Sequence, residues 1–75
     1  MSCGEHYRIV APTIALERLG EVTQMVHIPT GATITIQGES SAGARLMDVL
    51  WGHRVVMMFT RDIRERGRLL MPTNA

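Results

Sequence analysis

The segment from Arg45 to Thr60 constrains this chain most, because it reads as two apolar strands joined at Gly52-His53. A glycine at the first central position suits a type II′ turn, whose twist matches that of paired antiparallel strands. That turn sets Trp51 opposite Arg54 and, counting outward, pairs Leu50 with Val55, Val49 with Val56, Asp48 with Met57, Met47 with Met58 and Leu46 with Phe59. Side chains alternate between the two faces of a strand. One face therefore carries Leu46, Asp48, Leu50, Val55, Met57 and Phe59, and the other carries Met47, Val49, Trp51, Val56 and Met58. Both are apolar. A chain of 75 residues has room for one core, so one face lines it and the other must be covered by a further element or by a second chain.

The remaining segments are short and mostly extended. Tyr7 to Val10 is strand-like and Pro12 interrupts it. Thr13 to Leu19 admits two readings: Ala15 to Leu19 has high helix propensity with Gly20 as its stop, while Leu19-Gly20-Glu21-Val22 fits a second II′ turn. The hairpin is preferred, since Val22 to Ile28 needs a strand partner; it puts Ile14, Leu16 and Met25 on one face and Ala15, Val26 and Ile28 on the other. Pro29-Thr30-Gly31 is a turn by composition. Ala32 to Gln37 alternates cleanly, with Ile34 and Ile36 inward and the threonines outward. Gly38 to Gly43 is expected to be a mobile loop. Asp62 to Arg66 can make one helical turn, with Thr60 or Asp62 as N-cap and Gly67 as a left-handed stop, and Arg68 to Met71 a short closing strand that ends at Pro72.

Five or six short strands with tight turns, and one helical turn before the last of them, predict an all-β fold: a small SH3-like barrel. Residues 1–75 form a single domain, with residues 1–5 and 72–75 expected to be disordered. The chain also resembles small bacterial proteins that carry an Ile-Pro-x-Gly turn, a Trp-x-Gly-Arg-like hairpin, a Met-Phe strand end and an Asp-Ile/Leu-x-x-Arg-Gly turn. Here these are Ile28 to Gly31, Trp51 to Arg54, Met58-Phe59 and Asp62 to Gly67. Gly52 follows Trp51 directly, so this hairpin turn is shorter than the pattern. The resemblance covers about half the chain, supports the fold and implies no activity.

Composition excludes several function classes. Nonspecific nucleic-acid binding needs many uncompensated cations, whereas the net charge is +1 and acidic and basic residues nearly balance. All the basic residues are arginines, which suits bidentate pairing with carboxylates and is equally a mark of a GC-rich genome. Cys3 is the only cysteine, so no intrachain disulfide can form. His6, His27 and His53 lack metal-site spacing, and Gly38 to Gly43 lacks the Gly-Lys-Ser/Thr ending of a phosphate loop. Ser40 and Ser41 have no base at a recognisable spacing. No cofactor is implied, and an enzyme is the less favoured class. No apolar run spans a bilayer and the first residues lack a signal-peptide pattern, so the expected compartment is the cytoplasm, without membrane contact.

Two surfaces remain as candidates. The first is an interface through Met47, Val49, Trp51, Arg54, Val56 and Met58, holding a homo-oligomer, most simply a twofold dimer, of a non-catalytic interaction protein. The second is an anion or nucleic-acid contact through Arg61, Arg64, Arg66 and Arg68, with Tyr7 or Trp51 as a stacking platform. Asp48 interrupts an apolar face and is expected to be paired with an arginine or with backbone N–H groups, because an unpaired buried charge is costly.

Overall fold

The computed structural model describes residues 1–43 and 45–70. Gly52 adopts φ = +64°, and the strands on either side, β5 (Leu46–Trp51) and β6 (Arg54–Phe59), pair in the register that the turn requires, from Trp51 with Arg54 to Leu46 with Phe59. The same device builds a second hairpin. Gly20 also has φ = +64°, and β2 (Thr13–Leu19) pairs with β3 (Val22–Ile28) along its whole length. Thr13 to Leu19 is thus extended, not helical: its alternating pattern finds a β-branched partner strand, and the ladder outweighs the helix propensity of Ala15 to Leu19.

The other elements are β1 (His6–Ile9), β4 (Thr33–Glu39), helix α1 (Thr60–Arg66) and β7 (Gly67–Leu70). The seven strands form one antiparallel sheet in the order β3-β2-β6-β5-β4-β1-β7, which makes the fold all-β with one short helix. The structure has seven strands against the expected five or six. At the two ends of the sheet order stand β3 and β7.

Alternation decides the core. Ile9, Ile34, Ile36, Val49, Val56 and Met58 project from one side of the sheet and are fully buried or nearly so, joined there by Ile28. Ile63, on α1, is fully buried in the same cluster. The helix is therefore placed by one apolar residue and not by its caps. Phe59 occupies the N-cap position without a side-chain bond, and Thr60 Oγ1 instead donates to the Arg45 carbonyl at 3.2 Å. Gly67 is extended, at φ = −115°, so the expected left-handed stop does not form. Glycine is required there for a different reason: a Cβ would sit 2.6 Å from the Ile63 carbonyl oxygen.

Hydrogen bonds also shape two segments outside the strands. The Gly4 N–H bonds the Ile36 carbonyl at 2.7 Å and Glu5 N–H bonds the Ser2 carbonyl, so the N-terminal residues form a turn against β4. In the segment after β4, Ser40 N–H donates to the Leu46 carbonyl, and Ser40 Oγ accepts from the Ala42 N–H at 3.1 Å. Residues 72–75 lie outside the described residues.

Candidate functional site

The inner side of the β5–β6 hairpin is the core of the single chain. Met47 is 6% exposed, Val56 1%, and Val49 and Met58 0%. These four residues, expected at an interface, are therefore not available to a second copy: the isoleucines of β1, β3 and β4 and Ile63 of α1 already cover them. Trp51 and Arg54, named with them, stand at the rim of that core. The Arg54 guanidinium lies 5.2 Å from the Trp51 ring centroid, a cation–π distance.

Arg54 also makes the principal ion pair of the molecule. Its Nε donates to Glu17 Oε2 at 2.8 Å and its Nη2 to Oε1, a bidentate fork across from β6 to β2. Gln24 Nε2 reaches the same carboxylate at 3.4 Å. The bonds from Arg54 hold the Glu17 carboxyl below its ordinary range, although burial acts the other way, and the Arg54 guanidinium is correspondingly held above its own. Glu17 is nearly buried and escaped the sequence reading. Its inward position follows from alternation with Thr13 and Ala15, but its partner comes from the β2–β6 pairing, where Leu16 lies opposite Met57.

The outer side of the same strands is where apolar surface meets water. Ile14 is 40% exposed, Met25 71%, Val55 56% and Phe59 39%, and Leu16, Leu50 and Met57 are half-buried among them. Asp48 belongs to this outer side. It is half-buried beside a shallow cleft of about 170 Å³ that also touches Arg18, Val55 and Met57. Among the described residues it makes no ion pair and no side-chain hydrogen bond. The expected pairing is not seen among the described residues, and at its outer position the carboxylate is not one of the buried groups that lack a partner.

The four C-terminal arginines do not all converge. Arg61 pairs with Glu65 at 3.1 Å one turn away, and Arg66 Nη1 donates to the Pro12 carbonyl at 2.7 Å. Arg61 and Arg64 line one open groove of about 780 Å³ with Arg45, Phe59, Asp62 and Glu65. Arg68 sits on β7, directly across from Arg8 on β1. Tyr7 and Trp51 are partly buried against the core, and the Arg54 guanidinium lies over the Trp51 ring.

His6 Nδ1 and Thr35 Oγ1 are 2.9 Å apart across β1 and β4, and Cys3 is exposed. Among the described residues no group of three His, Cys, Asp or Glu side chains could hold a metal ion, and no helix is long and apolar enough to cross a membrane. The hydroxyl of Thr13, buried and without a partner, borders a smaller cleft with His27, Asp62 and Arg66. Comparison with protein-family models, with curated proteins and with solved structures finds no match to this chain, so its surfaces alone carry the functional argument.

Proposed function

We propose that this protein is a non-catalytic interaction module, a small barrel of the SH3-like kind, which self-associates through the outer apolar side of β2, β3, β5 and β6. The carrying observation is the exposure of Ile14, Met25, Val55 and Phe59 on strands whose other side already forms the core. A soluble monomer rarely leaves a contiguous patch of this sort in water, and a symmetric pair is the commonest way to cover one. Methionine suits such a surface because its flexible thioether adapts to the partner. The barrel assignment draws on the succession of hairpin, helical turn and short last strand at the C-terminal end. Bacterial origin and a cytoplasmic setting belong to the same proposal, supported by the resemblance of the turn motifs and by a lone, unpaired cysteine.

Light scattering across a dilution series tests it. The wild type is expected above monomer mass at tens of micromolar, and the double variant M25K/V55K at monomer mass with an unchanged far-UV spectrum. A wild type at monomer mass throughout overturns self-association.

One observation favours a nucleic-acid contact as a second reading. Arg8 and Arg68 are direct cross-strand partners with no carboxylate paired to either among the described residues. Like charges placed so are destabilising, and a phosphate between them relieves the repulsion. Titration of labelled single-stranded RNA at low and moderate salt decides the matter. Affinity that falls steeply with salt supports this reading, and no binding at low salt removes it.

A further inference from the structure

The two ends of the sheet are unequal. At one end, β7 is four residues long and carries Arg68. At the other, β3 is seven residues long and contains no Asp, Glu, Lys or Arg between Val22 and Ile28. Proteins ordinarily guard a free edge with short strands, charges, proline or a bulge, since a long uncharged edge is a template for another strand. None of these guards is present within β3, which pairs with β2 without a register shift.

The hairpin geometry says which backbone groups are free. A two-residue turn closes on a hydrogen-bonded pair, here Leu19 and Val22, and bonded and non-bonded pairs alternate along an antiparallel ladder. Gln24, Val26 and Ile28 therefore spend their N–H and C=O groups on β2. Thr23, Met25 and His27 direct theirs outward, to an edge that no other strand of the described residues occupies.

We infer that this edge joins the edge of a second copy of the same chain, β3 against β3 across a twofold axis at Gln24, so that one sheet runs through both subunits. In this register Thr23 and the partner's Met25 exchange both backbone hydrogen bonds, and the symmetric pair repeats them. Val22 lies against the partner's Val26, and Gln24 against the partner's Gln24. At each end Glu21 comes beside the partner's His27, placing a carboxylate against an imidazole twice over. That complementarity, and the lack of any like-charge encounter between those ends, favour a second copy over an unrelated peptide. The inference rests on the self-association proposed above and gives it a contact distinct from the outer face, at the edge of β3; Met25 is common to the edge and to the outer face.

M25P is the first test. Proline removes the outward N–H of residue 25, which β2 does not use, and edge strands tolerate proline in that orientation. The dimer dissociation constant is expected to rise by about tenfold or more, since one seam hydrogen bond is lost from each copy. A far-UV spectrum close to wild type accompanies that change if the fold is intact. Q24C in a C3S background keeps the test decisive should M25P misfold. Facing non-bonded positions lie about 4.5 Å apart at Cα, within the span of a disulfide, so Q24C is expected to cross-link under mild oxidation faster than M25C in the same background. Faster cross-linking of M25C overturns the register and with it the inference. A dimer that survives M25P, does not cross-link at position 24 and separates on V55K overturns the seam and leaves outer-face self-association standing. A monomer at every concentration overturns both.

Discussion

Glu17 and Asp48 are both carboxylates set in apolar strands, and the sheet treats them oppositely. Glu17 faces inward at the rim of the core and holds the Arg54 guanidinium in a bidentate pair. Asp48 faces outward and makes no ion pair among the described residues. Because Glu17 is bound below its ordinary range when folded, it carries fewer protons in the folded than in the unfolded chain at mildly acid pH. Its contribution to stability is therefore present above the ordinary glutamate range and is lost as pH falls through that range to the folded value. Glu17→Gln is expected to lower the melting temperature at neutral pH, and the gap to wild type should narrow as pH falls below about 4, near the unfolded glutamate value. A gap that is constant with pH would show that the charge is not what the pair contributes. Asp48→Asn, in contrast, should change stability by no more than about 0.5 kcal/mol, as for surface positions generally. A loss of about 1 to 3 kcal/mol, typical of a buried polar group deprived of its partner, would return Asp48 to the interior.

Among the elements, β6 shows most directly how one strand serves two surroundings. Val55 is 56% exposed and its neighbour Val56 is 1% exposed. Lysine at position 56 must carry a charge into the core, where Val49 and Met58 are fully buried, and is expected to unfold the chain at any protein concentration. Lysine at position 55 should leave the melting temperature of the monomer within a few degrees of wild type, since ΔΔG near 0.5 kcal/mol moves a domain of this size by only about 2 to 4 °C. Equal damage from the two would mean that the outer face is covered. Helix α1 illustrates the converse case. No side chain caps its N-terminus and it has only seven residues, so Ile63 is its anchor. Ile63→Ala is expected to cost about 2 to 5 kcal/mol in denaturant unfolding, the range for truncating a buried isoleucine. A cost below about 1 kcal/mol, no more than a single deleted methylene, would show that the helix docks by other means.

At the scale of the molecule, the sheet closes one core and leaves two kinds of unfinished surface. One is the outer apolar side of β2, β3, β5 and β6; the other is the uncharged edge of β3. They meet at Met25, the most exposed of the large hydrophobic residues at 71%. A domain this small buries only about 60% of the surface its unfolded chain exposes, and a single cysteine offers no crosslink within the chain. Self-association as proposed would add stability and make the melting temperature of the wild type concentration-dependent by mass action. The expected signature is a melting temperature that rises with protein concentration in the wild type and not in M25K/V55K. A wild-type melting temperature independent of concentration speaks against a folded state stabilised by pairing.

Alternation and turn chemistry, legible in the sequence, determined the strands at Ile34 and Ile36, the β5–β6 register and the β2–β3 hairpin. Each depends on neighbours a few residues apart, and Gly20 and Gly52 supply the positive φ that the turns need. The choice between the two apolar faces of β5 and β6 was left to the tertiary structure. Both faces have the same local pattern, and what separates them is the arrival of Ile9, Ile28 and Ile36 from distant strands and of Ile63 from the helix, all on one side. Period-two alternation states that a strand has two faces; it carries no sign saying which is inside. The same long-range packing turned Met47, Val49, Val56 and Met58 into core, brought Arg54 to Glu17 across 37 residues of chain, and left β3 at the end of the sheet, with no second strand of the described residues beside it.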